Sequence, residues 1–306
     1  HPGLKIGAPC GKSEFFRNIP MKKSQIEQMH QVVHLGRSAR QGRVKSFIWD
    51  VEKQTMDASS LEGVDAIVHL AGAGVADKRW TAARKKEILD SRVQSTELLF
   101  KTLQETKHSV KTLVAASAIG YYGFGLGDEL FTEDSPPGRD FLAQVTQQWE
   151  AQVSKIEALG IRVVKIRVGI VLSDKGGALA EMARPIKWGL GAPLATGKQM
   201  MSWIHIDDLC ELFAKGITDS KMTGAYNGVA PHPVTNKELT VAMAKTLKKP
   251  LWLPNVPSFV LQLLVGEMGV IVVNGSNVSA KRVSETGFEF QYPKVESALS
   301  NLMRSS

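Results

Sequence analysis

Four places in the chain carry residue types that could do chemistry. The first is Ala116-Ser-Ala-Ile-Gly-Tyr-Tyr-Gly123, which puts Ser117 and Tyr121 just after an apolar run. A hydroxyl pair at the carboxyl end of a strand can polarise a carbonyl or exchange a proton with an alcohol. It can equally do no more than satisfy local backbone groups. The second is Arg37-Ser38, directly after Val32-Val-His-Leu-Gly36. At the end of the second strand of a dinucleotide-binding fold an acid selects NAD, whereas an Arg accommodates a 2′-phosphate. Arg37 and Arg40 are present with no acid between them; solvated surface arginines are the alternative. The third is Arg92, which shares a helical stripe with Ile88, Ser95, Leu99 and Leu103. A charge on the buried side of a helix needs an anion, either a cofactor phosphate or an internal carboxylate. The fourth is Leu4-Lys-Ile-Gly-Ala-Pro-Cys-Gly-Lys-Ser13, the candidate phosphate-binding turn. Gly7 and Gly11 are present, but Gly-x-Gly-x-x-Gly is not, and a phosphate loop would need Gly where Ile6 stands. An ordinary turn is the alternative. The seven histidines form no metal set: His30 and His34 are four apart, yet His34 lies in a strand pattern, and His205 reads as a structural hydrogen-bonder.

The elements that must position these residues alternate between strand and helix. Asp65-Ala-Ile-Val-His-Leu-Ala-Gly72 is a short apolar run ending in Gly, as expected of a buried parallel strand. Further strands are predicted at 31–35, 47–49, 112–118 and 161–172. Helices are predicted over 81–105 and 141–159, the second stopping at Gly160. The stretch 14–30 lacks the apolar period of a packed helix. This pattern implies an α/β fold with a Rossmann-like doubly wound parallel sheet. Residues 1–172 are expected to form the nucleotide-binding domain and 173–306 a smaller C-terminal substrate lobe, with 203–218 as a segment that could return to the first. In that lobe Trp203-Ile-His-Ile-Asp-Asp-Leu209 reads as a strand running into a helix with Asp207 as N-cap. Thr235-Asn-Lys-Glu238 reads as a capping box. Phe259 to Val273 reads as a buried helix and its exit.

Composition narrows the class. With 306 residues and 43% hydrophobic residues the chain can bury a large core, and dominant disorder is excluded. Only Cys10 and Cys210 occur, which excludes a disulfide framework and a Cys-rich zinc site and points to a reducing, cytoplasmic compartment. The net charge of +8 is dispersed, with no run of five basic residues, so no nucleic-acid partner is expected. The 259–273 stretch is interrupted by Gln262, Gly266, Glu267 and Gly269 and falls short of the roughly 18 continuous apolar residues a membrane span requires, so no membrane partner is expected either. Nothing reads as a signal peptide, and the sequence opens at His1 rather than Met.

Several blocks, taken in order, carry a resemblance. They are Leu61 to Gly72, Ala76-Asp-Lys-Arg-Trp80 with Ser91-Arg92, Ser117 to Gly123, Glu133-Asp-Ser-Pro136, Arg167 to Leu172 with Gly176-Gly177, Trp203 to Leu209, and Asn227-Gly-Val-Ala-Pro231. Over roughly residues 31 to 298 the chain resembles the extended short-chain dehydrogenase/reductase superfamily. Within it the match is to the atypical "epimerase family protein" subgroup, related to nucleotide-sugar epimerases, some of whose members are labelled cell-division inhibitors. The resemblance implies a Rossmann-like domain binding NADP (NADPH), with Arg37 and Ser38 at the adenosine end. It implies Leu70, Ala71 and Gly72 along the cofactor, Glu87 and Arg92 on the following helix, Val171 on the nicotinamide side, and a C-terminal lobe over a substrate cleft.

Two departures from the family pattern matter. The opening Gly-Gly-Thr-Gly-x-x-Gly is absent near Gly7 to Ser13, and similarity resumes abruptly near His30. A local reading-frame change in the coding DNA would leave such a pattern, and resequencing that DNA tests it. Without the glycines, side chains crowd the backbone approach to a pyrophosphate. The superfamily's Tyr-x-x-x-Lys is also missing: Phe141-Leu-Ala-Gln-Val-Thr-Gln-Gln-Trp-Glu150 has neither residue, and the residue four after Tyr121 is Gly125. A tyrosine with no lysine beside it is a weak base at neutral pH. The expectation is therefore an NADP-dependent oxidoreductase or epimerase-like enzyme acting on a small carbonyl or alcohol substrate. Ser117 would bond the substrate oxygen and Tyr121 supply the proton. The alternative is a non-catalytic NADP-binding or regulatory protein. Neither the substrate nor the oligomeric state follows from the sequence.

Overall fold

The computed structural model describes residues 4–9, 30–38, 44–124 and 129–303. In chain order the strands are β1 (Leu4–Pro9), β2 (His30–Gly36), β3 (Lys45–Asp50), β4 (Thr55–Met56), β5 (Ala66–His69), β6 (Thr112–Ala118), β7 (Leu130–Phe131), β8 (Arg162–Val168), β9 (Ile170–Leu172), β10 (Met200–Met201), β11 (Trp203–His205), β12 (Gly224–Gly228), β13 (Val234–Thr235) and β14 (Asn277–Val278). The α-helices are α1 (Ala82–Glu105), α2 (Phe141–Lys155), α3 (Ala178–Lys187), α4 (Ile206–Thr218), α5 (Asn236–Thr246), α6 (Ser258–Val265), α7 (Val270–Val273), α8 (Lys281–Glu285) and α9 (Val295–Met303).

Eight strands form the main sheet in the order β12-β8-β6-β5-β1-β2-β3-β4. Every neighbouring pair is parallel except β3 and β4. The chain enters at β1, winds outward through β2 and β3, then crosses back to β5 and continues the other way through β6, β8 and β12. This is the doubly wound Rossmann arrangement, and its direction reverses between β1 and β5. Ligands bind such sheets outside the carboxyl ends of the strands at that reversal. The apolar runs are explained by burial on both faces: all four residues of β5, and Thr112 to Ser117 of β6, are buried.

The helices end where the sequence says they should. Thr81 caps α1 by accepting from Arg84 N, and Ile88, Arg92, Ser95, Leu99 and Leu103 all face inward. Asp140 caps α2, which passes through a 3-10 turn to Gly160 at φ +75°. Thr235 and Glu238 form the reciprocal capping box of α5.

Four expectations are corrected. Gly7 lies inside β1, in register with Val33 and Ile67, rather than in the turn that follows it; Gly11 and Arg40 lie outside the described residues. The 161–172 strand is two strands broken at Gly169, where a Cβ would stand 2.5 Å from the Ser202 carbonyl oxygen. The N-cap of α4 is His205, not Asp207, because the His205 ring nitrogen accepts from Asp207 N. The 259–273 stretch is not a buried helix: Phe259 and Leu263 of α6 are 68% and 77% exposed.

Residues beyond 172 contribute to the sheet as well as to the lobe. β12 is its outer parallel strand. α4 packs so closely on β6 of the sheet that a Cβ on Gly216 would stand 3.1 Å from the Val114 side chain. The rest of the C-terminal part is built from the small pairs β9–β11, β10–β13 and β7–β14 and from helices α3 and α5 to α9. Buried Asp208 of α4 ties that part down by accepting from Gln291 N and Tyr292 N. Among the described residues no helix is long and apolar enough to cross a membrane.

At the end of β5, His69 is fully buried, and its Nε2 lies 3.0 Å from Thr96 Oγ1 of α1. The Thr96 hydrogen goes to the Arg92 carbonyl, so the ring donates here. Burial pulls the His69 pKa down to about 4. The folded protein therefore keeps the ring neutral while the unfolded chain protonates it below about pH 6.5. Its contribution to stability is complete above that pH and is lost as pH falls toward 4. Between about pH 7 and 4 the wild type should lose roughly 3 kcal/mol more stability than His69→Gln in urea unfolding. Parallel pH profiles for the two proteins would sink this assignment.

Candidate functional site

A cleft of about 580 Å³ opens at the carboxyl edge of the sheet. One wall is the ends of β2 and β3, with Arg37, Trp49, Asp50 and Val51; the floor is Ala71-Gly72-Ala73 after β5; the other wall is the face of α1 with Glu87, Ser91 and Ser95. The strands converge here because parallel pairing puts all their carboxyl ends on one side. Arg37 is exposed and lines the cleft, while Ser38 is exposed beside it. Leu70 is half-buried and packs on the main core. Glu87 pairs with Arg84 at 2.7 Å.

Arg92 lies behind the floor. Its Nη1 donates to the Ala73 and Ile88 carbonyls at 3.0 and 2.9 Å, and its guanidinium sits over the Trp149 ring. The approach to Gly72 is so tight that a Cβ there would stand 3.1 Å from Arg92 Cζ. Burial, and then neighbouring Arg84, pull the Arg92 pKa down to about 10. Among the described residues no carboxylate pairs with it. A desolvated cation whose described hydrogen bonds go to carbonyls alone, behind a floor bare of side chain at Gly72, fits an anionic ligand running along Gly72. The residues present therefore suit a dinucleotide, except that the expected pyrophosphate turn at 10–13 lies outside the described residues.

A second set of side chains meets further along the same edge. Glu150 of α2 and Arg167 of β8 form a buried ion pair, Nε to Oε1 at 2.9 Å and Nη2 to Oε2 at 3.0 Å. Burial opposes the Arg167 charge, but its hydrogen bonds to Glu150 and the Glu150 charge outweigh that and hold its pKa above the usual value. Arg167 Nη1 also donates to the Tyr122 hydroxyl at 3.0 Å, which in turn donates to Asn227 Oδ1 at 2.6 Å. Burial pushes the Tyr122 pKa up to about 12. Glu133 Oε1 accepts from Asn227 N at 2.8 Å.

Ser117 belongs to this network. Its hydroxyl is buried and donates to Glu150 Oε1 at 2.5 Å, so it is turned toward an internal carboxylate and not toward the cleft. Tyr121 is half-buried with its ring under the Arg167 guanidinium, 3.5 Å from the centroid. No described residue hydrogen-bonds its hydroxyl. Val171 is buried, paired in register with Ile204 in the main core, and is not among the residues lining the cleft.

The sequence reading missed Asp50, Val51 and Ser91 as cleft residues and Glu150, Arg167, Asn227 and Glu133 as one network. The strand pattern ending at Trp49 was the signal for the first group. Nothing local signals the second, whose partners lie up to 105 residues apart.

A sequence profile of the NAD dependent epimerase/dehydratase family matches residues 21–227, and one of a domain of unknown function, DUF1731, matches residues 256–302. The epimerase family protein YfhF of Bacillus subtilis is 36% identical over 279 residues, covering 90% of this chain and 91% of that one. The epimerase family protein SDR39U1 of Mus musculus is 32% identical over 278 residues, covering 90% and 92%. Among solved structures, the human epimerase family protein SDR39U1 (isoform 2) with NADPH superposes with a TM-score of 0.88 at 28% identity, covering 99% of this chain and 100% of that one. A Thermus thermophilus UDP-glucose 4-epimerase with NAD, at 18% identity and a TM-score of 0.73, shares the fold.

Removing one partner of a buried ion pair leaves the other charge uncompensated, at a cost of about 3–5 kcal/mol. Arg167→Met should therefore destabilise the protein by about 3–5 kcal/mol, and Arg167→Met with Glu150→Leu by clearly less. Chemical denaturation of both single variants and the double variant checks this; a double-variant loss equal to the sum of the two single losses would mean that the two side chains are not coupled.

Proposed function

Because the chain belongs to the NAD-dependent epimerase/dehydratase family, we propose that it is an NADP-dependent oxidoreductase or epimerase-like enzyme acting on a small carbonyl or alcohol substrate. The observation that carries this reading is the cleft at the sheet's reversal point, with Arg37 at one end and the Arg92-backed Gly72 floor beneath it. Arg37, with Ser38 beside it, would hold the 2′-phosphate. Leu70, Ala71 and Gly72 would run along the dinucleotide, Glu87 and Arg92 would bound it from α1, and Val171 would back the nicotinamide side. Residues 1–172 with the returning 203–218 segment would serve the nucleotide, and the remaining C-terminal residues the substrate. A count of only two cysteines and a dispersed charge are read as those of a cytoplasmic protein.

Bound NADP would supply or accept the hydride. Of the three hydroxyls at the carboxyl end of β6, Ser117 and Tyr122 are committed to the ion-pair network. Tyr121 alone keeps a hydroxyl without a described partner, so it is assigned the proton exchanged with the substrate oxygen. Ser117 is reassigned from substrate contact to positioning, since it anchors Glu150. The same commitments favour a second reading, a non-catalytic NADP-binding protein, because the 141–150 stretch carries neither the tyrosine nor the lysine of the superfamily's Tyr-x-x-x-Lys.

Titration with NADPH and, separately, NADH, followed by fluorescence, should show at least roughly tenfold preference for NADPH, reduced to about threefold or less in Arg37→Ala. No binding of either would overturn the cofactor assignment. Given NADPH binding, Tyr121→Phe should abolish carbonyl-dependent NADPH oxidation. Unchanged turnover would remove Tyr121 from the mechanism, and binding without oxidation across a broad carbonyl panel would favour the second reading.

A further inference from the structure

A second cleft, of about 630 Å³, separates the sheet's carboxyl edge from the C-terminal lobe. Its sheet-side wall is Trp80, Phe124, Phe141 and Leu142, and its lobe-side wall includes Val270 and Val273. Trp80 and Phe141 meet edge to face with centroids 5.1 Å apart. The cleft adjoins the turn that carries Tyr121: a Cβ on Gly120 would stand 3.4 Å from Leu142 Cβ, and Gly138 N donates to the Tyr121 carbonyl.

The charges in this cleft are few and already matched. Lys85 is the cation among the described lining residues, and it faces two carboxylates, Asp140 and Glu267. It pairs with Glu267 at 2.6 Å and lies over both the Trp80 and Phe141 rings. The N-terminus of α2, which would otherwise attract an anion, is capped by Asp140, whose Oδ1 accepts from Ala143 N. Nearby Arg79 donates to the Leu263 carbonyl, and Arg84 is held by Glu87 and the Gly74 carbonyl. A nucleoside diphosphate brings about two negative charges that need arginines, lysines or open helix termini when taken from water. This cleft opposes them. It offers instead an aromatic corner, apolar walls, and a few neutral or matched polar groups.

We propose that the substrate is an uncharged, planar, largely apolar carbonyl compound seated against the Trp80–Phe141 corner, and not a nucleoside-diphosphate sugar. This rests on the reading that the chain takes a carbonyl or alcohol substrate beside Tyr121. It sets the chain apart from the sugar-nucleotide epimerases whose fold it shares.

The test is calorimetric titration of the full chain, with and without saturating NADPH, using 9,10-phenanthrenequinone and UDP-glucose as probes. The quinone should bind at least about a hundredfold more tightly than UDP-glucose, and Trp80→Ala or Phe141→Ala should weaken it by roughly tenfold. The exposed change Glu267→Lys adds a second cation without touching the core and should strengthen UDP-glucose binding by about tenfold. UDP-glucose binding as tightly as the quinone, or quinone binding unaltered in both aromatic variants, overturns the proposal. NADPH binding measured in the same samples separates the two claims. Quinone binding without NADPH binding refutes the cofactor reading alone, and NADPH binding without quinone binding refutes this proposal alone.

Discussion

The buried pair of Glu150 and Arg167 is the constraint on which the carboxyl edge of the sheet depends. Two charges taken out of water are tolerable only when each is paired and its remaining hydrogen-bonding positions are filled. Filling them recruits every neighbour. Ser117 from the end of β6 supplies one hydrogen bond to Glu150, and Tyr122 from the following turn takes one from Arg167. The Glu133 carbonyl just after β7 takes another, and Asn227 of β12 receives the Tyr122 hydrogen. Helix α2, strands β6, β8 and β12 and the 119–123 turn are thereby held in one mutual arrangement. The small apolar cluster of Tyr122, Phe131, Val229, Val278 and Ala280 then packs on this frame and joins the C-terminal lobe to it.

Helix α1 is the wall shared by the two clefts. Successive residues on a helix turn by about 100°, so Lys86 and Glu87 face the nucleotide cleft while adjacent Lys85 faces the other. The same end of the helix carries the ties to the lobe, Lys85 to Glu267 and Arg79 to the Leu263 carbonyl. A ligand that shifts the first turn of α1 from one side therefore acts on contacts made on the other. The two clefts differ in chemistry as well. The first has an exposed Arg37 and an uncompensated Arg92 behind its floor, whereas the second matches its cation with carboxylates.

Those features that depend on local spacing were legible in the sequence. The apolar runs of β5 and β6 needed only burial on both faces, and the α1 stripe, with Arg92 as its misfit, needed only the helical period. Thr235 and Glu238 needed only a spacing of three. What was not legible depends on partners distant in the chain. Asp207 has the type of an N-cap, but His205 reaches the same N–H from the strand end. Phe259 and Leu263 are apolar, yet both stand in solvent, and none of the described side chains of α6 is buried. Gly7 looked like a turn glycine until strand pairing placed it within β1. Ser117 carried the right chemistry at the right strand end, but its direction was set by Glu150, 33 residues later.

That last case bears on how the chain could work at all. A serine hydroxyl can assist a substrate oxygen only if its hydrogen is free to turn toward it. Here a carboxylate at 2.5 Å competes for that hydrogen, and a charged acceptor wins over a neutral carbonyl. Tyr122 is in the same position, wedged between a guanidinium and an amide oxygen. The ion pair that gives this edge its fixed shape thus removes two of its three hydroxyls from chemistry. Tyr121 is held through its ring face by Arg167, and its hydroxyl has no hydrogen-bond partner among the described residues. Among the described residues, Tyr121 is the member of this trio that the network holds by its face instead of by its polar atom.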